Sequence, residues 1–125
     1  MKSGDTITAA AIWTLEFAGY PPSPNARMHI YAKSKSNKQW RRFAGLAARY
    51  QDIPPQQRIR LSAVIVRRAL GVADEDNDRA RLKPVVDGLV DAGVIPNDHR
   101  GCVVWGTVTE ERGPAGLRLV IEALT

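Results

Sequence analysis

The residues of this chain that could do chemistry concentrate in two short stretches. Asp74-Glu75-Asp76-Asn77-Asp78 packs four carboxylates and an amide into five positions, and Asp98 follows in Pro96-Asn97-Asp98-His99. In an extended end-of-strand conformation Asp74 and Asp76 share one face. With no Cys/His cage in reach, Asp74, Asp76 and Asp98 offer hard oxygen donors of the kind that take Mg²⁺ or Mn²⁺. Two such ions about 3.5–4 Å apart activate water and stabilise the leaving oxygen in phosphodiester cleavage. The same residues have a plainer use. Asp and Asn at a helix start cap free N–H groups and complement the helix dipole, and spacing by itself favours capping. A calcium loop fits Asp74, Asp76 and Asp78 but fails afterwards, since Arg79 stands where glycine is needed and Val85 where a bidentate acid is needed.

Charge around these stretches is segregated. The net charge is +5, yet between Arg27 and Arg68 eleven cations face the single anion Asp52, and between Asp74 and Asp98 seven anions face three cations. A basic block in a small protein points to a polyanionic partner, most often nucleic acid. An acidic block beside it would repel that partner, unless its carboxylates hold divalent metal and so reverse the local sign. Arg27, Lys33, Lys35, Lys38, Arg41 and Arg42 flank Tyr31 and Trp40, a mixture suited to phosphates and exposed bases; Trp40 reads as core and Tyr31 is left open. Arg67 and Arg68, just before the acidic turn, are placed to hold nucleic acid beside a metal. Lys83 can serve as a point cation on phosphate oxygens, or bridge Asp87 at i,i+4.

The elements that must position these groups follow from periodicity. The 125 residues, 44% hydrophobic, support one domain with one core. Ala9 to Phe17 reads as a first strand, ended by the rigid loop Gly19-Tyr20-Pro21-Pro22-Ser23-Pro24-Asn25. Arg27 to Lys38 is polar and lacks clear periodicity. From about Asn37, Trp40, Phe43, Ala44, Ala47 and Ala48 trace a helical stripe, stopped by Ile53-Pro54-Pro55. Arg58 to Leu70 reads as a second, central strand. A second helix carries Leu82, Val85, Val86, Leu89 and Val90 and closes at Ala92-Gly93; Pro84 confines its regular start to the region after Asn77. Strands over Cys102–Thr109 and Leu117–Ala123, joined by a Gly/Pro turn, complete a β-α-β-α-β-β order. The expected fold is α+β (mixed α/β), one small domain over 1–125, with a mixed sheet packed by two main helices. A helix of about ten to fifteen residues runs some 15–22 Å, so Asp98 meets Asp74 and Asp76 only if the fold or a partner subunit returns it.

Several classes are set aside. Cys102 is the single cysteine, which excludes an internal disulfide framework and a thiolate zinc site and suits a reducing, cytoplasmic setting. The apolar stretch from Ile7 to Gly19 is interrupted by Glu16 and too short to span a bilayer, and the N-terminus makes a poor secretory signal. Without a Walker-type loop or a GxGxxG after a strand, no organic cofactor is expected. His29 and His99 read as bystanders, Cys102 as packing, and Ser23 lacks a nucleophile elbow.

Beside these readings, the chain resembles the RusA family of Holliday-junction resolvases over most of its length. Pro21-Pro22-Ser23-Pro24-Asn25 is similar to the family's PPS-x-N loop, and Asp74-Glu75-Asp76-Asn77 to its D-x-D-N motif. Lys83-Pro84-Val85-Val86-Asp87-Gly88-Leu89 resembles the K-x-x-x-D-[AG]-L helix, and Ala92-Gly93-Val94-Ile95-Pro96-Asn97-Asp98 the AG-x-[IL]-x-DD element, with Asn97 in place of the first acid. The segment between Asn77 and Lys83 is longer than in the D-x-D-N-x-x-K form. The resemblance implies a metal-dependent homodimeric endonuclease that nicks four-way DNA junctions symmetrically, in DNA recombination and repair. It matches Asp74, Asp76 and Asp98 to metal-binding aspartates and Lys83 to an essential lysine. Two other readings stand beside it: a non-catalytic nucleic-acid-binding module, and a metal nuclease of other branched or single-stranded substrates.

Overall fold

A computed structural model describes residues 11–24, 26–71 and 74–124. Ala9 and Ala10 of the expected first strand and Asn25 of the proline loop lie outside the described residues. The chain folds as β1 (Ile12–Ala18), α1 (Ile30–Tyr50), β2 (Ile59–Arg67), α2 (Glu75–Arg81), α3 (Lys83–Asp91), β3 (Val103–Arg112) and β4 (Gly116–Ala123). This is the expected α+β order, with the second helical region divided in two.

The four strands form one mixed sheet in the order β1-β4-β2-β3. The Gly113–Ala115 turn returns the chain antiparallel, but β4 does not pair with β3; it inserts between β1 and β2, antiparallel to both, and β2 runs parallel to β3. β2 is therefore interior, as its two-sided apolar pattern requires. Leu15, Ile59, Leu61, Ile65, Leu119 and Ile121 line one face and bury with Leu82, Val85 and Leu89 of the helical region. On the other face Val64, Val66 and Val120 are only half-buried.

A bulge in β3 has a consequence for the site. Leu61 pairs with Trp105 but Ala63 pairs with Val108, so β3 carries one extra residue at Gly106–Thr107. A side chain at Gly106 would sit 2.1 Å from Ser62 Oγ, which is why the extra residue is tolerated there. The bulge shifts the alternation by one. Val103 and Val108 both bury, and Glu110 follows Val108 onto the helix-covered face.

The long helix starts seven residues before its apolar stripe. His29 caps α1, its side chain accepting from the Tyr31 N–H. The first turns, rich in Lys, Ser and Asn, have no apolar stripe because they pack on little. Buried Ala44, Gly45 and Ala48 all lie in the C-terminal half, and a helix nucleated there extends at small cost. Trp40 packs at the core edge, edge-to-face with Phe17 at 5.7 Å. The α1 and α3 backbones approach closely at Gly88, where a Cβ would lie 2.2 Å from the Arg41 carbonyl oxygen. Leu82 ends α2 and precedes α3, with Pro84 in the first turn of α3. A proline there has no N–H for the carbonyl four residues back and would clash with it, so one continuous helix is impossible. Among the described residues no helix is long and apolar enough to cross a membrane.

Candidate functional site

The acidic turn serves first as a cap. Asp74 is the N-cap of α2, its Oδ1 accepting from the Asn77 N–H at 3.1 Å. Asp76 is 96% exposed and lies 3.7 Å from Arg79 Nη1; Arg79 Nη2 also reaches Glu75 at 3.3 Å. Asn77 turns inward, and its Oδ1 accepts from Ser23 Oγ at 2.8 Å. That bond joins the proline loop to the acidic turn across 54 residues of sequence.

Lys83 and Asp98 come together. Lys83 Nζ donates to Asp98 Oδ2 at 2.6 Å and to Asp87 Oδ1 at 2.7 Å. The expected i,i+4 bridge to Asp87 is thus made, and the same ammonium group also reaches Asp98, a contact that the sequence did not announce. Its hydrogen bonds to Asp87 and then Asp98 raise the Lys83 pKa, so it is a cation and not a base. The ammonium in turn holds the Asp98 carboxyl below the usual range. Lys83, Asp98, Arg79 and Trp105 border a cleft of about 260 Å³, in which the cations that neutralise Asp76 and Asp98 lie side by side.

As donors, Asp74, Asp76 and Asp98 suit a hard divalent cation. Their arrangement is not a ready cage: among the described residues no three of His, Cys, Asp and Glu stand close enough to hold an ion. One oxygen of Asp74 is committed to the cap, and Asp76 and Asp98 each lean on a cation of this chain.

Behind the turn lies a buried charge network that the sequence reading passed over. Asp78 is 2% exposed and Arg81 7%. Arg81 Nε donates to Asp78 Oδ1 at 3.2 Å and its Nη1 to the Pro21 carbonyl at 3.1 Å. Its guanidinium lies 5.5 Å from the centre of the Tyr20 ring, which Arg67 also approaches at 5.9 Å. Arg67 Nη1 pairs with Glu110 Oε1 at 3.2 Å. Burial, then a hydrogen bond to Glu110, push the Asp78 carboxyl from its ordinary 3.8 up to about 6. Glu110 accepts that bond and is held low by it and by Arg67 and Arg81. The signal available in sequence was Arg81 at i+3 from Asp78, which reads equally as an exposed helix pair.

This network makes a pH prediction. Asp78 titrates higher folded than unfolded, so its contribution to stability is full below about pH 4 and is lost as pH rises through about 6. Glu110 acts oppositely, stabilising above its ordinary 4.5 and losing that as pH falls. Asp78→Asn removes the first effect and retains the second. In urea titrations from pH 4 to 8, the variant should gain on wild type as pH rises; a constant difference would show that Asp78 does not titrate in this window.

The expected nucleic-acid contacts divide. Lys33, Lys38 and Arg41 border a groove of about 700 Å³ between α1, the proline loop and the start of α3, where Lys83 and Arg81 join them. α1 contributes six cations and no acid. Lys35 and Arg42 are exposed on α1 outside the groove lining, and Arg27 is exposed just before the helix. Arg67 is occupied by Glu110 and Tyr20, whereas Arg68 is exposed beside Arg112 and Pro114 at the end of the sheet. Arg41 is paired with Asp91 through two hydrogen bonds.

No family model matches the chain. It is 36% identical over 108 residues to a protein of Xylella fastidiosa (strain Temecula1 / ATCC 700964) that bears the description "Uncharacterized protein", the match covering 82% of this chain and 69% of that protein. The chain belongs to the same family as that protein.

Proposed function

We propose that the chain is a RusA-like, Mg²⁺-dependent, structure-specific endodeoxyribonuclease that resolves four-way DNA junctions by paired nicks. The observation that carries this reading is the position of Lys83: it borders the cationic groove on one side and holds Asp98 on the other. The matched lysine, the matched aspartate and a surface for phosphates therefore meet at one point. The Ser23–Asn77 bond supports it further, since it ties together the two loops that carry the resemblance. Asp74, Asp76 and Asp98 would hold the ion, which supplies charge neutralisation at the scissile phosphate and an activated water. Lys83 pairs with Asp98 and Arg79 lies near Asp76, so an ion held there would compete with these cations. Two matched cuts need two sites, hence a homodimer.

A second reading has its own observation: Asp74 caps a helix, and no three acids stand together among the described residues. On that reading the protein binds nucleic acid and cuts nothing. Incubating wild type and Asp76→Asn with a synthetic four-way junction, with and without Mg²⁺, separates the two. The nuclease reading expects Mg²⁺-dependent nicks by wild type and none by Asp76→Asn, which should still bind the junction. Binding without nicking by wild type leaves the second reading. Cutting of linear duplex as readily as the junction keeps the nuclease and removes the resolvase.

A further inference from the structure

We propose that the groove between α1, the proline loop and α3 is a seat for an unpaired DNA strand, with bases on its apolar wall and phosphates on its cationic rim. The inference rests on the nucleic-acid reading above and adds the form of DNA that this surface takes. The groove, at about 700 Å³, falls within the roughly 300–1,000 Å³ of clefts that enclose ligands.

Its lining has two chemistries. Pro22, Pro24, Ile30 and Pro84 give it apolar surface; Lys33 and Lys38 border it with positive charge, while Arg41 stands there paired with Asp91 and Lys83 paired with Asp87 and Asp98. Asp87 is the acid in that lining, and Lys83 neutralises it. A paired duplex presents phosphates outward and keeps its bases stacked inside, so it can use the rim and leave the apolar wall wet. A single strand offers both at once, phosphates to the rim and base faces to the apolar wall.

The start of α1 carries exposed apolar and aromatic side chains. Ile30 is 75% exposed and Tyr31 78%, an apolar residue and an aromatic at the start of a helix otherwise lined with lysines. Tyr31 stacks against His29 at 5.3 Å between ring centres. Asn37 and Ser34 add hydrogen-bonding groups to the lining. Charge complementarity selects the polyanion, and the apolar wall selects a strand with open bases.

The test compares a twelve-residue oligothymidylate with an abasic strand of equal length, which keeps the phosphates and lacks the bases. Wild type at low salt should bind the oligothymidylate about fivefold tighter, as base faces leave water for the apolar wall. Ile30→Ser should erase that preference and leave abasic-strand and duplex affinity unchanged. Lys38→Ala should weaken both strands equally and lower the salt slope by roughly one unit for each lost phosphate contact. Equal affinity of wild type for the two strands, with duplex and junction still bound, overturns this proposal and leaves the nucleic-acid reading standing. No binding to any of these DNAs overturns both. A change of sedimentation coefficient in Ile30→Ser without DNA would make the groove a protein interface and overturn the proposal.

Discussion

Replacing Arg81 by alanine should cost the folded state about 3–5 kcal/mol at neutral pH, the penalty of leaving a buried charge without its partner. Arg81 joins α2 to the proline loop through three contacts: Asp78 of its own helix, the Pro21 carbonyl and the Tyr20 ring. Its loss leaves Asp78 facing Glu110, with only Arg67 on the far side of the pair. Because Asp78 already takes a proton near pH 6, the loss should shrink when unfolding is measured at pH 5. Asp78→Ala in the same chain should recover part of the deficit, since removing both partners is milder than removing one. Limited proteolysis supplies a local readout: the Pro21–Ser23 loop should become cleavable before the sheet does. A loss below about 1 kcal/mol, within the range of an exposed pair, would mean that Arg81 does not support the loop.

If the chain has the proposed nuclease function, Lys83→Met should lower junction nicking by on the order of 10²–10³-fold, the scale of one lost charge-stabilising donor at a phosphoryl centre. The change should leave the melting temperature nearly unmoved, because Lys83 is a solvent-facing side chain at the start of α3. It should also free the Asp98 carboxyl from the cation that holds its pKa down. Lys83→Arg keeps the charge but replaces a compact ammonium by a wide planar fork, so it should fall between wild type and Lys83→Met. Single-turnover nicking at saturating protein isolates the chemical step from binding. An unchanged rate in Lys83→Met would leave Lys83 a surface bridge and remove the observation on which the proposed function rests.

Much of the architecture is legible in the chain. Alternation around Leu15, Leu61 and Leu119, the proline loop, the small-residue stripe at Ala44 and Ala48, and the apolar spacing from Leu82 to Val90 each encode their element locally. Pro84 sits where a helix tolerates it only in a first turn, and two helices result. The early start of α1 was hidden for a simple reason: exposed helical turns leave no apolar period to read. The sheet order was hidden for another, because β4 bypasses its neighbour β3 to pair with β1 and β2, and pairing partners are chosen by long-range packing.

The candidate site divides along the same line. By itself the sequence determined which residue types are available: an acidic turn, a basic helix, a lysine at the start of a short helix and an aspartate some residues past its end. Only the tertiary structure decided which charges meet. The bulge at Gly106–Thr107 turned Glu110 inward to Asp78, the segment Glu75–Arg81 folded into a helix that buries Arg81, and the return after α3 brought Asp98 to Lys83. The physical reason is that a charge pair depends on a few ångströms of separation and on burial, and neither quantity is written in sequence spacing.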